Sequence, residues 1–472
     1  MSKTIKAFWV LFFAAASLSA SEPCGSGGTV LDTIPEQWAY TEHFNQEMPD
    51  NDAWWQTFAD PVLDSLINEG VRANYDAVMA LRRIEIARQQ LLMARAAYMP
   101  SLDLGLGWSK SRSSGATVHG NPLQASVSDY FDVGLNMSWE IDVFGKITAK
   151  SRQKKDLYNV SKAEYAAAMV TVCANIAKTY VSLRVYQAQW KVATEHIESQ
   201  KRIVGITEAR MNAGLASMLD VTQARVVYYS TRATLPGLES LIHNTINSLS
   251  VLLGTYPENM YARLENVAPL PDYRAIVPIG VPVDLLRRRP DVVAAEYNLA
   301  ASASALGIAK KEFLPTLTLN GSVGTAAHKI GNLFTNSSFT YTIAPTLSWN
   351  VFSGMSRRHN AVAARQQMEM QIDNYNLTVL NAVSEVDGCI SSFESAIRTI
   401  DMLGQVVEQS RKSLELSLDL YKRGLSPFNN VVNAQLDYLT NQNSLISAHG
   451  KALNAQIALY EALGGGWNSS NL

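Results

Sequence analysis

The sequence predicts an α+β membrane protein: four short β-strands per chain, very long coiled-coil helices, and a tandem repeat of that whole plan. Three observations lead there. The first is strict alternation in four extended stretches, 101–108, 131–140, 316–324 and 339–349. In the last, Phe339, Tyr341, Ile343, Leu347 and Trp349 fall on one face, and Thr340, Thr342, Thr346 and Ser348 on the other, as period two requires of a strand. The second is length without punctuation. Residues 146–213 contain no proline and one glycine, Gly205, and residues 355–423 contain no proline and only Gly388 and Gly404. The third is register. Trp139 recurs as Trp349, Gly214 as Gly424, Val221 as Val431 and Leu253-Gly254 as Leu463-Gly464, all 210 positions apart. A repeat of that period is a duplicated structural unit.

At 472 residues the chain is long for one compact domain, so a repeated or elongated architecture is favoured. A net charge of −2 carries no basic excess and speaks against a nucleic-acid partner. Three cysteines and seven histidines are scattered without metal-ligand spacing, so neither a disulfide framework nor a metal site is expected. No catalytic grouping stands out, and no enzyme activity or cofactor is expected.

In chain order, Lys3 and Lys6 precede an apolar run that ends in Ser19-Ala20, the pattern of a secretory signal peptide over residues 1–20. No later run approaches the roughly 20 apolar residues of a transmembrane helix, so membrane entry must use a barrel. Cys24, just past the cleavage zone, leaves two outcomes open: lipidation there, or cleavage after Ala20 and a free thiol. Residues 21–60 read as an extended polar arm. Asp60 can cap and Pro61 can open a helix that continues to Tyr98 before Pro100, with Pro100 ending it.

The first repeat, 61–254, then runs helix, two strands, long helix, tip at Gly214 and returning helix, which Pro236 should kink. Residues 255–290 hold six of the sixteen prolines and form an irregular connector. The second repeat, 291–464, has the same order with its tip at Gly424, and 465–472 is a short tail. In its long helix, Val383, Val386, Ile390, Phe393, Ile397, Ile400, Val407, Leu414, Leu418 and Tyr421 keep close to a 3.5-residue step, a coiled-coil seam. A glycine ending each long helix, followed by a fresh amphipathic run, is a hairpin tip.

Four strands cannot close a barrel, and an open apolar ribbon would aggregate. Two chains pool eight strands and three pool twelve. An inner face of Thr, Ser, Asn and Gly favours the wider, water-filled assembly. Trp108, Trp139, Trp349 and Tyr341 suit interfacial girdles.

Trp54-Trp55, Phe58 and Asp60-Pro61, the stretch from Pro282 through Arg287-Arg288-Arg289-Pro290-Asp291 to Glu296, Phe313-Leu314-Pro315 and Leu463-Gly464-Gly465-Gly466-Trp467 resemble the TolC-like outer-membrane factor family. Within it they resemble the NodT-type channels of tripartite efflux pumps. The resemblance implies a tandem-repeat TolC-like fold: a homotrimer with a trimeric 12-stranded β-barrel in outer-membrane lipid and a periplasmic α-barrel. It also implies a periplasmic adaptor (membrane fusion) protein and an inner-membrane transporter as partners. Export of small molecules is the expected function; a protein-secretion conduit and a pore-less periplasmic scaffold are the alternatives.

The family also closes its tunnel with a Tyr three residues before the second tip glycine and an Asp six after the first, here Tyr421 and Asp220. Lys422 or Arg423 is expected to pair with Asp220. Where family members often carry carboxylates, six and nine residues after the second tip glycine, this chain has Asn430 and Asn433. The triple arginine is expected to be a solvated run beside a helix start.

Overall fold

A computed structural model describes residues 44–45, 53–112, 127–273, 277–279 and 288–467. The leader, Cys24, most of the arm, Arg287 and the last residues of the tail lie outside the described residues. After a 3-10 turn, Trp54–Phe58, come helices α1 (Pro61–Ala73) and α2 (Tyr75–Ala96) and strands β1 (Ser101–Arg112) and β2 (Val127–Ile141). Then follow α3 (Lys146–Asn212), α4 (Met218–Arg232), α5 (Leu235–Leu252) and the short α6 (Glu258–Leu264). The second half contributes α7 (Pro290–Lys311), β3 (Thr316–Ala327), β4 (Phe339–Ser348), α8 (Ser356–Lys422) and α9 (Phe428–Ala462).

The four strands form one antiparallel sheet in the order β1-β2-β3-β4. Its register puts like with like. Leu104 faces Leu135, which faces Val323, which faces Tyr341; Trp108 faces Phe131; Leu317 faces Leu347. The opposite face aligns Asp103, Asn136, Ser322 and Thr342 in one row. A neighbouring row sets Gly105, Gly134 and Gly324 side by side. There the backbones approach closely enough that a Cβ on Gly324 would come within 2.4 Å of the Val133 carbonyl oxygen. The apolar face is open: Leu104, Leu106, Tyr341 and Ile343 are each more than 70% exposed. Such a face needs a hydrocarbon solvent.

Helices extend the strands. At the sheet end, α2 packs on α3, α3 on α7 and α7 on α8, so the helical wall repeats the strand order. Lower down α3 packs on α4, α5 and α9, and α8 on α9. The indole Nε1 of Trp139 donates to the Tyr98 carbonyl (2.9 Å), and that of Trp349 to the Phe313 carbonyl (3.0 Å). Each repeat thus ties the end of its outgoing strand to the helix that entered its ribbon.

Both long helices have 67 residues, about 100 Å at 1.5 Å per residue. The main core lies midway along them. Ile176, Tyr180 and Leu183 of α3 and Ile390 and Phe393 of α8 meet Leu63, Leu66, Leu249, Ile457 and Tyr460 there. Trp54 stacks on Tyr460 at 5.3 Å. Asp60 caps α1 through Val62 and Leu63 amides and accepts the Tyr180 hydroxyl at 2.6 Å. Burial is the main cause that pushes the Tyr180 hydroxyl well above its ordinary range.

Several expectations are corrected. The entering helix is two helices, because Asn74 leaves helical geometry, caps α2 through the Asp76 and Ala77 amides, and donates to the Leu252 carbonyl. The first returning helix is interrupted beside its proline, with Ala233 and Thr234 still in right-handed helical geometry between the two segments. It stops at Arg232 and restarts at Leu235 with Pro236 in its first turn, where the missing N–H costs nothing. Along α8, Val386, Ile390, Phe393, Ile397, Ile400 and Tyr421 are buried, but Val407, Leu414 and Leu418 only half so. Arg289 is no solvated residue. It is 11% exposed, bridges Asp291 and Glu385, and donates to the Ala462 carbonyl at the end of α9 (2.7 Å). Two helices, α3 and α7, do carry an 18-residue window of mean hydropathy 1.3, against the expectation of none. In α3 that window is alanine-rich and 61% buried within the protein.

Candidate functional site at the hairpin tips

Both tips are built by the same local chemistry. Gly214 (φ +73°) and Gly424 (φ +77°) take the left-handed conformation that lets a helix end without a Cβ clash. Leu215 N–H returns to the Arg210 carbonyl and Gly214 N–H to Met211; Leu425 returns to Leu420 and Gly424 to Tyr421. Each pair of bonds satisfies carbonyls the helix end leaves open. Beyond the first tip, Ser217 caps α4 by accepting from the Asp220 amide, and its hydroxyl donates to Asp220 Oδ1 (2.9 Å). The Asp220 carboxylate therefore sits in the first turn of a helix, where the macrodipole favours a negative charge.

The structure brings Asp220 and Tyr421 together: the Tyr421 hydroxyl donates to Asp220 Oδ2 at 3.2 Å. This bond joins the two hairpins of one chain. Burial raises the Tyr421 pKa above its ordinary value, and the Asp220 charge raises it further, so the hydroxyl stays a donor throughout the physiological range. The Tyr421 ring packs on Phe428 at 5.0 Å, in a small cluster with Ile203, Ala224 and Val431.

The pairing of Asp220 with Lys422 or Arg423 is not what the chain forms. Arg423 turns to Asp419 on its own helix (2.9 Å), a four-residue spacing that suits such a pair. Lys422 has an exposed side chain and contributes its carbonyl instead. Asn430 donates to Ser426 (2.9 Å), and both Asn430 and Asn433 are exposed on the first turns of α9.

Sequence reasoning missed Arg210. Its Nη1 donates to the Lys422 carbonyl at 2.5 Å, its Nη2 to Leu215, and its guanidinium lies 5.0 Å from the Tyr421 ring centroid. It crosses from the first tip to the second. A signal existed: the matching position in the second repeat is Leu420, so the repeats part company where a cation is needed.

Among the described residues two free thiols, buried Cys173 and half-buried Cys389, lie far from the tips in the chain's middle. Burial pushes them to about 12 and about 11, which leaves them unreactive.

The model of the family described as outer membrane efflux protein matches residues 66–255 and 281–465. The chain belongs to the outer membrane efflux protein family. It is 27% identical over 453 residues to the pyoverdine export outer membrane protein OpmQ of Pseudomonas aeruginosa, covering 94% of each chain. It is 26% identical to Nodulation protein T of Rhizobium leguminosarum, covering 88% of each. Among solved structures, the outer-membrane channel OprN superposes with a TM-score of 0.86 at 26% identity, covering 92% of this chain and 97% of that one. The efflux protein is thus a TolC-like channel of the outer membrane that reaches into the periplasm, the outer part of a tripartite efflux pump. The family membership answers the scaffold alternative, because its members are channels.

Proposed function

We propose that three copies of this chain pool their sheets into a twelve-stranded barrel and their helices into a periplasmic tunnel. The tunnel is closed at its far end by the hairpin tips. Tyr421 and Asp220 hold each chain's two hairpins together, and Arg210 reinforces them. Asn430 and Asn433 ring the constriction without charge. A periplasmic adaptor and an inner-membrane transporter engage from below, and small molecules leave through the barrel. Export of a small molecule, pyoverdine, by the named relative favours this over protein secretion.

The observation that carries the gate is the 3.2 Å bond from Tyr421 to Asp220, which joins separate hairpins beside the Arg210 contacts and a small apolar cluster. A neutral-to-charged hydrogen bond of this kind is worth about 1.5–3 kcal/mol. Planar-bilayer conductance of purified trimers tests it. Asp220→Ala combined with Tyr421→Phe should raise resting conductance severalfold over wild type. Asn430→Asp with Asn433→Asp should create a strong, salt-sensitive block by polyvalent cations from the periplasmic side, since a carboxylate ring focuses field in a narrow throat. Unchanged conductance in the first variant would remove the latch, and absence of new block in the second would place the constriction elsewhere.

A further inference from the structure

The helix ends that meet the sheet are mostly basic, in a chain of net charge −2, with Asp142 and Glu312 the acids beside them. The ionic residues from Lys146 to Lys155 are Lys146, Lys150, Arg152, Lys154 and Lys155. Those from Ser356 to Arg365 are Arg357, Arg358 and Arg365, and α7 ends in Lys310-Lys311. Cations suit the C-terminal end of α7. They do not suit the first turns of α3 and α8, where the helix macrodipole is positive and favours acids. At α3 the acid is Asp142, which accepts from the Ile147 and Thr148 amides, and Lys154, Lys311, Arg357 and Arg365 find partners within the chain. Arg152 and Lys155, beyond the first turn, and Arg358 are left for an anion outside the chain.

Their surroundings say which anion. Directly above lies the rim of the apolar face. Val143, Val351 and Phe352 are 58%, 68% and 81% exposed, and Phe144 and Trp349 39% and 49%. They continue the surface that meets hydrocarbon. From Lys146, Arg152 lies about 9 Å and Lys155 about 14 Å along the helix at 1.5 Å per residue, and Arg358 about 3 Å from the start of α8. That is the depth of a headgroup layer plus the reach of a long side chain. Arg152, Lys155 and Arg358 are exposed, and among the described residues none makes an ion pair. Asp156, near Arg152 and Lys155, turns to Ser304 of α7 instead (3.4 Å).

The side of the wall is also fixed. Lys155 stands eighteen residues, five turns, above Cys173 on one helix face. Cys173 packs against Gly466 of the C-terminal segment, which in turn lies against Trp54, in the core that also holds Phe58 and Leu63. Three copies of that bulk inside the tunnel would fill it, so this face is the outer one.

We infer that Arg152, Lys155 and Arg358 form, in the assembled protein, a collar that binds anionic phospholipid headgroups in the periplasmic leaflet of the outer membrane. The collar would fix the depth of the barrel independently of any anchor at Cys24. A basic residue near an anionic surface contributes roughly fivefold in affinity, screened by salt. It rests on the trimeric reading for its threefold repetition and for the outer side of the wall.

The test uses full-length trimers in nanodiscs of phosphatidylethanolamine with or without phosphatidylglycerol, and native mass spectrometry of the lipid each trimer retains. Wild type should retain the anionic lipid at least tenfold over its bulk share, with the excess falling in high salt. The triple variant Arg152→Gln, Lys155→Gln, Arg358→Gln should lose that excess while migrating as an intact trimer. Equal retention of both lipids by wild type, or undiminished excess in the triple variant, would overturn the collar. So would a variant that alters anion-over-cation permeability but not lipid retention, since the charges would then face the tunnel. A variant that fails to assemble is replaced by Lys155→Glu alone, which must lower the excess for the collar to stand.

Discussion

The sharpest consequence of the sheet's register is a pair of arginine substitutions at adjacent residues with opposite outcomes. On β4 the outward residues run from Phe339 at one end to Trp349 just past the other. Ten residues at roughly 3.4 Å, tilted by about 40°, span about 26 Å of depth, close to the height of a barrel's apolar band. Ile343 stands near the middle of that span and is 72% exposed on the apolar face, opposite Gly321. Leu347 stands two residues from the Trp349 rim. Arginine at the midplane costs about 2–4 kcal/mol, and about 0–1 kcal/mol near an interface. Ile343→Arg should therefore lower the folding constant by roughly 30- to 1000-fold per chain, with Leu347→Arg much milder. Thr342→Arg, one residue away on the face that carries Asn136 and Ser322, should be tolerated. Urea titration of barrel folding into vesicles, read by heat-modified gel mobility, measures all three. Equal damage at positions 342 and 343 would refute the assigned faces, and greater damage at 347 than at 343 would refute the assigned depth.

Two further outcomes follow from buried groups. His196 is 7% exposed, its Nε2 against Gln442 Oε1 and its ring 5.1 Å from Tyr438. Burial lowers its pKa, opposed by the bond to Gln442 and by Glu195. The unfolded chain then takes up a proton at higher pH than the folded one, so this contribution is complete above about pH 6.5 and is lost as pH falls through the folded value. His196→Gln should flatten that acid limb in thermal melts from pH 7.5 to 5, and an unchanged limb would assign it to other groups. Arg289→Met should destabilise the fold by roughly 2–3 kcal/mol, because the Ala462 carbonyl and two half-exposed carboxylates lose their donor; urea midpoints read this, and a loss below about 0.5 kcal/mol would make the residue peripheral.

What was legible in the sequence was periodic or conformational. Alternation located all four strands, and the glycines that end α3 and α8 stand where only a left-handed residue closes a helix. The strand ends were not legible for a physical reason. Beyond Trp108, Ser109-Lys110-Ser111-Arg112 is polar on both faces, so alternation ceases although pairing with Val127–Tyr130 continues. Asn74 was hidden because one side chain both ends α1 and caps α2. At the tips, the family resemblance pointed to Tyr421 and Asp220 but not to Arg210, whose role depends on reaching a carbonyl 212 residues away. Arg289 looked solvated because its partners lie on α8 and at the end of α9.

The central claim is a three-chain barrel, and it turns on the free edges. Strands β1 and β4 are unpaired on their outer sides within the described sheet, and they should meet only across chains. In a background with the native cysteines replaced, single cysteines are scanned along β1 against β4 and oxidised in the outer membrane. The account predicts at least one register that yields covalent dimer and trimer and nothing larger, with the trimer dominant. A ladder that stops at the dimer, giving eight strands, or one that continues past the trimer, would contradict it.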